Sequence, residues 1–220
     1  MNQIKFDFAQ KRLFANLLLA SRSKDKRDPE STDLIVKGGW ICGCSRHHLA
    51  AVRLEGFVEN PKTVEDGYYD FIFNGKGSKA TSATLVKKEK QIPRINFLKV
   101  IPSGSPKAKM AFYSHSSHSP MQSWIEFQYR LASEYNLLGT TATPLFIDYD
   151  EHIKPLLASG NNWEVEIYGE RAHVIFRPSI EGKVKMVYVA TPYMAANMAT
   201  YKQELYEKYK EMYKEERQNG

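Results

Sequence analysis

Residues 39–55 gather the side chains best suited to chemistry: Cys42, Cys44, Ser45, Arg46, His47 and His48 lie within one short stretch. Cys42-x-Cys44-x-x-His47-His48 has the ligand types of a zinc site. Structural zinc, however, takes thiolates spaced by two or more residues around a knuckle. Here the one-residue spacing puts both thiols on the same face of a strand, and no second Cys pair follows. Two small buried apolar residues and no metal is the expectation. His115-Ser-Ser and His118-Ser-Pro carry imidazoles, but three residues apart in one loop they cannot straddle a phosphate. A magnesium-dependent nuclease would need clustered carboxylates. Asp148, Asp150 and Glu151 are candidates, and Asp148, Asp150 and His152 form the set that such an enzyme would use. Asp150 reads instead as a helix N-cap. Serine nucleophile elbows, phosphate-binding glycine loops and dinucleotide fingerprints are absent from the sequence. No catalytic residue and no cofactor is expected, and the chain reads as a non-enzyme.

Basic residues carry the stronger signal. The net charge is +6, and it is unevenly spread. Residues 1–60 carry ten Lys/Arg against seven Asp/Glu, and residues 61–120 ten against four. Residues 121–197 are acidic, with six against nine. Between Lys76 and Lys109 the only acidic residue is Glu89. Lys11, Arg12, Arg22, Lys24, Lys26, Arg27, Lys87, Lys88 and Lys90 are therefore the candidate DNA-binding set. Few aromatic residues interleave with them, which disfavours stacking on single strands. Contact with duplex phosphates, without sequence reading, fits better.

The elements that must position these groups follow from periodicity. Residues 4–8 alternate as a short strand, and 9–21 form a helix with Leu13, Leu17 and Ala20 on one stripe. Residues 34–36, 41–44 and 49–54 read as strands, with turns at Gly38-Gly39 and at Ser45-Arg46-His47-His48. Basic rings crowded at the second turn are costly to bury, so it should present them at an edge. Residues 69–73 and 80–86 pair through the hairpin signal Asn74-Gly75-Lys76-Gly77. Residues 87–120, with Pro93, Pro102, Pro106 and Pro120, read as a connector. An amphipathic helix follows at 121–135, with Trp124, Phe127, Gln128 and Leu131 on one face. Next come a strand at 145–149, a short helix at 150–158 and strands at 163–168, 172–176 and 184–190. Glu164 and Glu166 alternate as an exposed strand face should. The helix 195–218 carries a stripe of Met198, Tyr201, Leu205, Tyr209 and Met212. It either lies on its own domain or pairs with a partner chain as an adaptor would.

With 220 residues and 42% hydrophobic content, the chain can bury one large core or two small ones. No run approaches eighteen apolar residues, so no membrane span is expected. Residues 1–8 lack the features of a signal peptide, and the two cysteines are too close to staple a fold. A reducing cytoplasm fits these features. Three segments are expected: 1–105, 106–195 and a charged, Tyr-rich 196–220.

The order of these elements resembles the bacterial DNA polymerase III β sliding clamp family. Residues 40–52 are similar to that family's strand, T-D-G-H-R-L-A turn and second strand. Cys44 stands at its Thr, Ser45 at its Asp, Arg46 at its Gly, His47 at its His, His48 at its Arg and Leu49 at its Leu. Residues 92–102, with Pro93, Val100, Ile101 and Pro102, look like the family's F-P-D-Y-x-x-V-I-P segment. Residues 188–194 resemble its closing strand and M-P-M, with Met194 at the end. The resemblance implies an α+β clamp fold of two clamp-like domains, with curved antiparallel sheets outside and helices inside. It implies a DNA processivity factor that encircles duplex DNA as a homo-oligomeric ring, dimer or trimer, and tethers a DNA polymerase or other replication protein. A compact, phage-type version suits the length. By the same resemblance, Cys44, Arg46, His47, His48, Leu49, Pro93, Val100 and Met194 line a groove for short peptides.

Overall fold

Hairpin signals and alternating apolar residues build the strands into antiparallel ladders. The computed structural model describes residues 2–7, 9–25, 27, 31–76, 79–90, 96–102, 104–113, 120–137, 145–158, 162–168, 173–179, 184–191, 193–194, 207 and 211. The first half contains β1 (Gln3–Lys5), α1 (Ala9–Ala20), β2 (Leu34–Lys37), β3 (Trp40–Cys44), β4 (His48–Arg53), β5 (Gly67–Asn74) and β6 (Ser82–Lys87). The second contains β7 (Ala108–Phe112), α2 (Pro120–Leu137), β8 (Leu145–Phe146), α3 (Lys154–Ala158), β9 (Trp163–Ile167), β10 (Val174–Pro178), β11 (Met186–Ala190) and β12 (Tyr193–Met194). Ten strands form one sheet in the order β1-β6-β5-β2-β3-β4-β11-β10-β9-β7. β12 and β8 make a separate pair. The expected α+β class, with an antiparallel sheet and helices on one side, is the one observed.

The two halves share a plan. In each, an edge strand leads into a helix and then into three strands that step towards the middle: β2-β3-β4 in one, β9-β10-β11 in the other. The hairpin β5–β6 is wedged between β1 and β2, whereas β7 pairs directly with β9. The halves meet where β4 and β11 pair antiparallel, from Met186↔Val52 to Ala190↔His48.

Strand alternation sorts the apolar residues onto two faces. Leu34, Val36, Ile41, Ala50, Val52, Met186 and Tyr188 join the main cluster beneath α1, α2 and α3. Ile35, Cys42, Cys44, Leu49, Ala51, Val187 and Val189 point the other way. That second cluster is capped by Phe97, from the short 3-10 turn Phe97–Lys99, with Leu98, Val100 and Ile101 packed beside it. Further out, this face is charged, with Lys109 bonded to Glu164 at 2.6 Å and Arg177 to Glu166 at 2.8 Å.

Several expectations need correction. In α1 the buried side chains are Phe14, Ala15, Leu17 and Leu18; Leu13 is half-buried and Ala20 exposed. The helix therefore rolls further onto Phe14 and Leu18, because it lies directly on β3. Glu166 is 6% exposed rather than solvated, since the Tyr168 hydroxyl and Arg177 cover it with hydrogen bonds at 2.8 Å. Asp148, not Asp150, caps the turn Tyr149–Ile153, where its carboxylate accepts the Glu151 N–H at 3.0 Å. The strand expected over 145–149 stops at Phe146. Trp124, Phe127, Gln128 and Leu131 are buried together, as their spacing predicts. Of the helix expected over 195–218, only Glu207 and Glu211 lie within the described residues, and both are helical. His115 and His118 lie outside them.

Gly43 has a packing reason to be glycine. A Cβ there would sit 1.9 Å from the Leu18 carbonyl oxygen, so the backbone of α1 rests against the strand itself. Gly43→Ala should lower unfolding stability by about 3 kcal/mol, because helix and sheet must separate to admit one methyl. Urea denaturation would measure this, and a loss of only a few tenths would contradict the close approach.

Candidate functional site

Where β3 ends and β4 begins, the chain makes a tight polar turn at the rim of the sheet. Ser45 N–H bonds to the His48 carbonyl at 2.9 Å, and the Ser45 hydroxyl accepts the His47 N–H at 3.3 Å. No described residue other than glycine has a positive φ, so Arg46 occupies the turn without left-handed backbone strain. Antiparallel pairing brings the end of β11 and the start of β10 to the same rim. The Thr191 N–H donates to the His47 carbonyl at 2.7 Å and ties the turn to the second half.

A cavity of about 250 Å³ opens at this rim. Cys44, Leu49, Val189, Phe97 and Val100 form its apolar wall, and Arg46, His48 and His173 are among its polar members. Cys44, Arg46, His48, Leu49 and Val100 from the expected groove therefore meet around one space. His47 lies on the other side of the turn, in a larger cleft of about 640 Å³ with Arg22, Lys24, Asp150 and Glu151. Pro93 lies outside the described residues. Met194 pairs with Leu145 in the small two-stranded sheet. His173 was missed by sequence reasoning; only its place just before an apolar strand could have suggested it.

The turn does not present all its basic rings to solvent. His48 faces the helix side, stacked on Tyr188 at 5.9 Å between centroids and edge-on to His152 at 5.4 Å. Its Nδ1 lies 3.1 Å from the Ser45 hydroxyl. Burial holds the imidazole below its ordinary pKa, partly offset by Glu151. The buried Tyr188 hydroxyl is pushed upward for the same reason.

The basic set divides between surfaces. Lys11 bonds to Asp7 at 3.0 Å, and Arg12 donates to the Ala80 carbonyl. Arg22 reaches Asp70 at 3.1 Å. Lys24 is exposed in the larger cleft. Arg27 is 86% exposed and pairs with Asp25 at 2.9 Å. Lys26 lies outside the described residues. Lys87 pairs with Glu65. Lys88 and Lys90 both bond to Asp33, and Lys90 also sits over the Tyr68 ring, so these two lie on the face away from the helices. Burial alone would raise the Asp33 carboxyl, but the two ammonium groups together hold it below the usual carboxylate range. Of the residues a nuclease would use, Asp148 is a cap and His152 is buried beside Tyr188. Among the described residues no group of three or more His, Cys, Asp or Glu could hold a metal ion. No helix among them is long and apolar enough to cross a membrane.

Solved structures of bacterial clamps align with this chain. A DNA polymerase III beta chain from Streptococcus pneumoniae does so at 8% identity and a TM-score of 0.49, covering 87% of this chain and 64% of that one. A beta subunit from Thermotoga maritima matches at 10% identity and 0.47, covering 90% of this chain and 66% of that one. The Helicobacter pylori beta clamp bound to a DNA ligase peptide matches at 9% identity and 0.49, covering 88% and 65%. The chain thus spans slightly under two thirds of the length of these clamps. No protein-family model matches the sequence, and no curated protein matches it.

Because partial burial holds the His48 pKa in the folded chain below its ordinary value, the unfolded chain takes up its proton at a higher pH than the folded chain does. The associated stability is present above the ordinary histidine pKa and is lost as pH falls through it. The melting temperature should therefore drop between about pH 7 and about pH 5.5. His48→Gln should flatten that drop in a thermal scan; an equal drop in the variant would assign it to another group.

Proposed function

We propose that this chain is a non-catalytic, clamp-like tethering scaffold of DNA replication. Its rim pocket holds an apolar side chain of a peptide from a polymerase or another replication protein, and its helix side lies against duplex DNA. The observation that carries this reading is the convergence of Cys44, Arg46, His48, Leu49 and Val100 around one cavity at the rim. Those residues were singled out by clamp resemblance from two separated segments. The sheet with helices on one side agrees with it.

A pocket of this size anchors one or two side chains, so affinity would rest on a few contacts. Val100→Asp places a charge on the apolar wall at a partly buried position packed beside the second cluster, so its melting temperature is read alongside. It should weaken binding of labelled peptides tiled from the cognate replicative polymerase by about tenfold or more, read by fluorescence anisotropy. Unchanged affinity with an unchanged melting temperature would remove the groove.

Duplex contact would fall to Lys11 and Arg12 of α1 and to Lys24 in the larger cleft, with Arg22 and Arg27 near the rim. Several of these already have acidic partners, so the contact would be weak and through phosphates alone. Binding to a random-sequence duplex should fall on the order of a thousandfold between low and physiological salt if six or more phosphates are engaged. Ring formation is supported by the two ends of the sheet. β1 and β7 each have one neighbour among the described strands, and a head-to-tail contact between copies can close a ring. Analytical ultracentrifugation with and without circular duplex would test this. A monomer that never stays on the circle would overturn the encircling role.

A further inference from the structure

Charge is spread unevenly around the two openings at the rim. The rim cavity and the larger cleft share Ser45, Arg46 and His48, so the turn between β3 and β4 is the ridge that separates them. Among the described residues that line the rim cavity there is no Asp and no Glu. Its polar members are Arg46, two imidazoles and uncharged serine, asparagine and threonine side chains. Both imidazoles have hydroxyl neighbours within the fold. His48 Nδ1 lies 3.1 Å from the Ser45 hydroxyl, and His173 Nδ1 lies 3.2 Å from the Thr191 hydroxyl. Partial burial also holds His48 below its ordinary pKa. Arg46 is therefore the permanent charge at this opening, and it is exposed.

Lys24, also exposed, lies across the ridge in the larger cleft. The other cations near the rim are engaged: Arg22 by Asp70 and Arg27 by Asp25. Of the described carboxylates, none forms a salt bridge with Arg46 or Lys24. Hydrogen bonds from Arg27 occupy both Asp25 oxygens and hold that carboxyl below its ordinary pKa, with the charge of Arg46 a lesser influence. The remaining acids of the cleft, Asp150 and Glu151, come from the turn Tyr149–Ile153 in the second half, where Asp150 faces Lys154 at 3.8 Å. The cationic strip is thus confined to the ridge and the segment after α1.

We propose that the partner segment seated at the rim is acidic as well as apolar. It is an extended peptide whose apolar anchor enters the rim cavity and whose neighbouring Asp or Glu side chains lie on the ridge. Arg46 is the specificity-determining residue, and Lys24 continues the strip. The anchor rests on the groove reading, whereas the charge preference goes beyond it. A guanidinium presents a planar fork of donors that matches a carboxylate. In this exposed position the pair adds modest affinity. Its larger effect is selection, because the same charge repels a peptide with Lys or Arg beside its anchor.

The test remakes the tightest-binding labelled peptide of the polymerase tiling with Asp, Asn or Lys at the two residues beside its anchor. The anchor is the apolar residue whose replacement by Ser abolishes binding. By fluorescence anisotropy against the native chain, the Asp version should bind about fivefold tighter than the Asn version, with the Lys version weakest. That advantage should shrink as salt rises. Arg46→Gln should narrow the Asp-over-Asn gap to about twofold or less, and Arg46→Glu should place Lys above Asp; melting temperatures are read alongside. Equal affinity of the three versions for the native chain would overturn the charge preference and leave the groove standing. An Asp preference that survives in both Arg46 variants would overturn the role of Arg46. If no tile binds at all, the groove falls and this inference falls with it.

Discussion

The pairing of β4 with β11 is the constraint on which the molecule depends. Five residue pairs join halves that lie more than a hundred residues apart in the chain, and all five paired residues of β11 are buried. Closing so long a loop costs conformational entropy that local contacts cannot offset. The seam must therefore bring apolar burial on both faces, and it does. Met186, Tyr188 and Ala190 enter the core under the helices, while Val187 and Val189 enter the opposite cluster. The rim cavity is a product of this seam. Cys44 and Leu49 come from one half, Val189, Thr191 and His173 from the other.

The second face explains why the cavity sits where it does. Its outer parts carry ion pairs, Lys88 and Lys90 with Asp33 at one side and Arg177 with Glu166 at the other. The buried apolar side chains of this face lie in the middle, beneath Phe97, while Ile72 and Val86 are exposed further out. Where that cover meets the turn between β3 and β4, apolar and polar walls lie side by side. Such a boundary suits a ligand with one apolar anchor and polar flanks.

The charged surface is less uniform than the count of lysines and arginines suggests. Asp33 and Asp70 each hold basic residues that are far from them in sequence. Part of the positive excess is therefore taken up by Arg22, Lys88 and Lys90 against Asp33 and Asp70. Ion pairs of this partly exposed kind contribute little stability each. Their larger effect is on position: they set which lysines remain open to a polyanion and which face Lys88 and Lys90 occupy.

Much of the fold was legible in local patterns. The hairpin at Gly75, the strand period around Ile41 and Leu49, and the buried stripe of Trp124, Phe127 and Leu131 each follow from chemistry within a few residues. The same locality revealed that Cys42 and Cys44 share a face. It failed where a distant partner decided the outcome. Glu166 reads as a solvent residue until Arg177 and Tyr168 fold over it, and His48 reads as a rim residue until Tyr188 stacks beneath it. The sequence by itself determined the elements, their alternation and the identity of the reactive groups, because those depend on neighbours along the chain. Only the tertiary structure decided which groups share the rim cavity, which imidazole is held below its ordinary pKa and which cations are engaged. Those properties depend on burial and on charges brought together by the β4–β11 seam.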